Sequence, residues 1–150
     1  MNPTPEKTSV MAPFILMLFL YFIVGLFTVI NQQFQVPLKS ALLPHDGNMT
    51  NALVTLLNFS WFLAYPFSEG FATRWVDRLG YRKTSVYSLL IFIVGLGFYE
   101  AAVLLHIYAP SYITIMGNPI FTGFFVFLSG SFVIGMAVTI LQVVTGLYLD

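Results

Sequence analysis

The chain has 150 residues, 58% of them hydrophobic and only 8% charged, against roughly 25% charged in an average soluble domain. With a mean hydropathy of +0.86, this excludes a wholly water-facing exterior, and a formal net charge of zero gives no bulk attraction to nucleic acid or to an acidic partner. There is no cysteine, so disulfides, thiolate catalysis and Cys-type metal sites are excluded as well.

Residues 1–10 form a short polar tail carrying Glu6 and Lys7. The apolar run that follows predicts a first span over about 12–36, ending in the amides Asn31, Gln32, Gln33 and Gln35 before Pro37. It is long, lacks a small-residue cleavage pattern and is followed by further spans, so it reads as a retained helix rather than a signal peptide. A polar joint with Pro44, Asp46 and Gly47 as turn formers leads to a second span over about 52–72, interrupted by Asn58, Ser60, Tyr65, Pro66 and Glu69. A proline inside a span removes one backbone hydrogen bond and favours a kink.

The next joint, from Arg74 to Lys83, carries four of the six basic residues. A third span is predicted over about 84–105, with Glu100 close to its far end. The connection from His106 to Pro119 has no Lys or Arg and contains Pro110, Gly117 and Asn118. The fourth span, about 120–148, is rich in small residues at Gly123, Ser129, Gly130, Ser131, Gly135 and Ala137, which let another helix approach closely. Each run supplies the about 20 mainly apolar residues that a helix needs to cross the hydrocarbon core. The expected fold class is therefore an all-α membrane protein with four transmembrane helices.

Orientation follows from the basic residues. Arg74, Arg78, Arg82 and Lys83 lie between spans two and three, Lys7 precedes span one, and Lys39 alone lies on the other side. The positive-inside rule then places both termini and the basic joint in the cytoplasm, with the chain a multi-pass protein of the cell (inner) membrane.

Within the basic joint, Asp77 lies where a carboxylate could meet the unsatisfied N–H groups at the start of span three. Gly80 permits a tight turn that a side chain would hinder. The residues Asp77-Arg78, Gly80-Tyr81 and Arg82-Lys83 resemble the cytoplasmic loop motif of the major facilitator superfamily, although Gly70 stands further upstream than the first glycine of that motif. The resemblance implies that the chain corresponds to the first four helices of a twelve-helix bundle. It also implies that Asp77, Arg78, Gly80 and Arg82 belong to a loop that latches the two halves of the transporter.

A narrower resemblance is to the fucose permease group of sugar/proton symporters, carried by Leu20-Tyr21-Phe22 leading to Asn31-Gln32, by Gly80-Tyr81, and by Leu141-Gln142-Val143-Val144-Thr145. In that group the position like Gln32 is often an aspartate and the one like Gln142 often a glutamate, taking part in proton coupling or sugar binding. Both are amides here, which weakens proton coupling more than sugar binding. The implied substrate is a sugar or similar small polar solute, with a proton or sodium ion as the coupling partner.

The residues themselves give Asn31, Gln32, Gln35, Asn58 and Gln142 as candidate substrate contacts. Asn31 and Gln35 share a helical face, whereas Gln32 projects about 100° away, and an interfacial cap is the competing reading of that cluster. Gln142 stands between apolar neighbours inside a span, where an amide must find a partner, in a cavity or on another helix. Glu100 lies toward the outer interface and Glu69 toward the inner one, and both read as structural. Trp61, Tyr65, Tyr87 and Tyr99 read as packing and interface residues. His45 and His106 have no second ligand at metal spacing, and no catalytic triad, P-loop or carboxylate pair occurs.

The expected function is secondary transport by alternating access, without catalysis, metal or cofactor. A complete four-helix exporter acting as a dimer and a non-transporting membrane scaffold are the alternatives; the former would be expected to carry an embedded acid in span one, which has none.

Overall fold

A computed structural model describes residues 11–33, 37, 40, 48–115 and 117–149. Three helices carry almost all of it: α1 (Met11–Gln33), α2 (Asn48–Tyr108) and α3 (Thr122–Leu149). Each is long and apolar enough to cross a membrane, which marks the chain as a helical membrane protein. The first ends within the expected span; residues 34–36, with Gln35, lie outside the described residues.

The largest departure from the sequence expectation is in α2. The segment 74–79, read as part of a joint, is helical, and the backbone leaves helical geometry only at Gly80, with φ 77° and ψ 166°. That φ lies where a Cβ is strongly disfavoured, so the bend falls on the one residue type that tolerates it. It divides α2 into a first limb, 48–79, and a second, 81–108. Pro66 lies inside the first limb without ending it.

Both limbs pack on α3, in opposite directions. Along the first limb, Ser60 meets Leu128, Phe67 meets Phe132, and Ala72 and Val76 pack with Ile140 and Val144, so it runs parallel to α3. Along the second, Tyr81 meets Leu147, Gly95 meets Ile134, and Tyr99 meets Ser131, so it runs antiparallel. The first helix is antiparallel to α3 too, since Met17 packs with Ile140 and Val144 whereas Val24 packs with Ile134 and Val138.

Small residues set this spacing. A Cβ built on Gly135 would stand 2.7 Å from the Trp61 carbonyl oxygen and 2.9 Å from the Ala64 Cβ, and one on Gly95 would run into the Ile134 side chain. Gly130, Ser131 and Ala137 are buried at the same interfaces, as expected of small residues that bring helices close. Ser129, by contrast, is exposed. Three buried hydroxyls are satisfied on their own helix: Ser68 donates to the Ala64 carbonyl, Thr139 to Gly135 and Thr145 to Leu141, at 2.7–2.8 Å.

The connection before α3 adds two strands to a fold expected to be all-α. Two short strands, β1 (Tyr112–Ile115) and β2 (Asn118–Phe121), form an antiparallel hairpin pairing Tyr112 with Phe121 and Ile115 with Asn118. Gly117 at its tip has φ 82°. The Thr122 N–H donates to the Ser111 carbonyl at 2.9 Å, tying the hairpin to the start of α3.

Candidate functional site

A cavity of about 520 Å³ opens between α1, both limbs of α2 and α3. Helical spacing brings its walls together: Phe27 and Asn31 are one turn apart on α1, Phe92 and Tyr99 two turns apart on the second limb, and Phe127 and Ile134 two turns apart on α3. Trp61 of the first limb completes it.

Its rings are fixed against one another. Tyr99 stacks on Phe127 with centroids 4.0 Å apart and planes 3° from parallel, and Phe27 meets Phe92 edge-on at 4.8 Å. The Tyr99 hydroxyl is engaged with Ser131 Oγ at 2.9 Å. Trp61 is 2% exposed, and its indole N–H is buried without a hydrogen-bond partner among the described residues. Leaving such a donor unpaired costs about 1–3 kcal/mol. Because Nε1 is shielded, what Trp61 turns to the cavity is carbon.

Two polar side chains remain for a ligand. Asn31 is half-buried and Glu100 exposed at the rim, and neither makes a hydrogen bond or ion pair among the described residues. No Lys, Arg or His lines the cavity among those residues.

The other predicted substrate contacts are not gathered here. Gln32 is exposed, Asn58 is half-buried and already partnered, and Gln142 is half-buried without a hydrogen bond among the described residues and is not among those lining this cavity. Gln35 lies outside the described residues, as does His45. Trp61 and Tyr99, read from the sequence as packing and interface residues, line the cavity, and Phe27, Phe92 and Phe127 have no periodic signal to single them out in spans that are mostly apolar. The available clue was the seven-residue spacing of Phe92 from Tyr99, shared by Phe127 and Ile134.

At the bend, Asp77, Arg78, Gly80 and Arg82 are all exposed. The expectation that Asp77 caps the start of the following helix is corrected: it lies in the last turn of the first limb and makes no hydrogen bond among the described residues. Arg74 and Arg78, in the last two turns of that limb, stand where the helix dipole favours cations. Glu69 forms no ion pair with Arg74. The bend is instead fastened through Tyr81, whose hydroxyl donates to the Leu147 carbonyl at 3.2 Å.

No protein-family model, curated protein or solved structure matches the chain.

Proposed function

We propose that this chain is part of a secondary transporter of the major facilitator type, which moves a small solute across the membrane by alternating access. The supporting reading is that α2 crosses the bilayer twice. Its 61 residues would extend about 90 Å as one rod, three times the roughly 30 Å hydrocarbon core. With the bend at the basic corner and both limbs packed along α3, the chain makes four crossings, its termini and Gly80 on the cytoplasmic side.

The observation that supports a transport role is the cavity lined by all four crossings, with Asn31 and Glu100 on its wall and unpaired among the described residues. An amide and an acid on the wall of a cavity between spans are polar groups that a solute can engage. Alternating access then requires that the solute bind the inward- and outward-open states with different affinity and shift their populations. A sugar or similar small polar solute is the cargo that the resemblance to fucose permeases implies, with a proton or sodium ion as the coupling partner.

The test is counterflow in liposomes reconstituted with the full-length transporter proposed to contain these four crossings, using a panel of labelled sugars and other small polar and charged solutes. Saturable exchange that Asn31→Ala lowers at least tenfold is the expected result. Exchange no faster than in protein-free liposomes across the panel would remove the transport reading and favour a scaffold role.

A further inference from the structure

Resting on the reading of this bundle as a transporter, we infer that its cavity selects an amphiphilic organic monocation, an amine or quaternary ammonium carrying an aromatic or aliphatic body. Five aromatic side chains, Phe27, Trp61, Phe92, Tyr99 and Phe127, face a space of about 520 Å³. Ring faces attract cations through their quadrupoles and give no comparable attraction to an anion. The one charged side chain on the wall is the Glu100 carboxylate, which has no cationic partner among the described residues. A carboxylate beside a low-dielectric wall is best matched by a cation from outside.

Hydrogen-bonding capacity argues the same way. The Tyr99 hydroxyl is engaged by Ser131, and the Trp61 N–H is shielded. Only the Asn31 amide and the Glu100 carboxylate are left to serve a ligand. A sugar would bring several hydroxyls into this space and leave most of them unpaired, which is the costly arrangement. An amphiphilic cation needs only one polar end. Glu100 is exposed at the rim whereas Trp61 is 2% exposed, so the cationic head lies at Glu100 with its hydration partly kept, and the apolar body lies among the rings.

Equilibrium dialysis of the purified full chain in neutral detergent tests this, with labelled benzyltrimethylammonium as the probe and the phenylacetate anion and neutral benzyl alcohol as comparators. Saturable binding of the cation, at least tenfold tighter than either comparator, is expected. Glu100→Gln should weaken it at least tenfold, whereas Glu69→Gln, an exposed acid away from the cavity, should leave it unchanged. Helical circular dichroism and gel filtration check each variant. If Glu100→Gln does not fold, the cation-to-neutral ratio on the unmodified chain decides. Equal binding of the three probes, equal losses in both variants, or displacement of the cation by millimolar monosaccharide overturns the inference. Counterflow separates it from the transport reading: cation bound but not exchanged removes transport alone, and sugar exchanged with no cation binding removes the cation site alone.

Discussion

Tyr81, the first residue of the second limb of α2, donates its hydroxyl hydrogen to the carbonyl of Leu147 at 3.2 Å, and its ring meets that of Tyr148 edge-on at 5.6 Å. The last four carbonyls of a helix have no N–H partner within it, and Leu147 lies in the last turn of α3. The contact therefore supplies a donor to α3 and pins the bend to the same end of the bundle. Because Gly80 precedes Tyr81 directly, the unusual backbone of one residue sets the aim of the next.

Replacing that glycine should loosen the corner. At φ 77° and ψ 166° an L-residue carries strain of about 1–3 kcal/mol. Gly80→Ala is expected to lower the thermal unfolding midpoint in detergent. Gly97→Ala, at a helical position with open space around it, should leave the midpoint unchanged or raise it. Equal midpoints for the two variants would show that the bend tolerates a side chain.

At Gly135 the obstacle is packing rather than torsion. Two of the atoms a Cβ would meet belong to the Trp61 backbone and the Ala64 side chain, and neither can swing aside. Overpacking of this kind costs about 1–3 kcal/mol. Gly135→Ala should therefore destabilise the bundle by that amount, measured by unfolding in mixed detergent, whereas Gly146→Ala, which meets nothing, should not.

Topology can be read directly, since the chain has no cysteine of its own. Arg78→Cys should resist an impermeant thiol reagent added outside intact cells, and Ser111→Cys should react with it. The placement of Arg74, Arg78, Arg82 and Lys83 motivates this, and outside labelling of Arg78→Cys would reverse the orientation.

Much of the architecture was legible because membrane packing reads composition plainly. Gly130, Ser131, Gly135 and Ala137 had to face other helices, since only small side chains allow close approach, and they do. The segment 74–79 was not legible as helix. Its charges mark it as outside the hydrocarbon, but a helix does not stop where the membrane does, and backbone hydrogen bonding carries it on to Gly80. The hairpin had a signal that was passed over: Ile113-Thr114-Ile115 is a β-branched run before Gly117, the residue with positive φ at the tip. The cavity was hidden for another reason. Where every face of a span is apolar, hydrophobicity cannot tell a ring that packs from one that lines a space.

For the corner, the resemblance to the transporter loop motif gives an expectation about function. Asp77 makes no hydrogen bond or ion pair among the described residues, so Asp77→Asn should leave stability and solute binding intact. On the proposed transport reading its carboxylate would engage another part of the transporter, and exchange should fall several-fold as one conformation loses its latch. A variant exchanging at the unmodified rate would remove the latch assignment.

Gln142 poses the sharpest question about the rest of the molecule. It is half-buried on α3 with no hydrogen bond among the described residues, and an amide left unpaired at membrane depth is costly. On the proposed transport reading, that amide is available to a solute. Leucine has similar volume and no polar atoms, so Gln142→Leu should not destabilise the bundle and is expected to raise its stability by up to about 1 kcal/mol. Solute exchange in liposomes should fall at least tenfold if the amide serves the transport path. A loss of stability on this substitution would instead mean that the amide is bonded within the bundle, and unchanged exchange would assign it to packing.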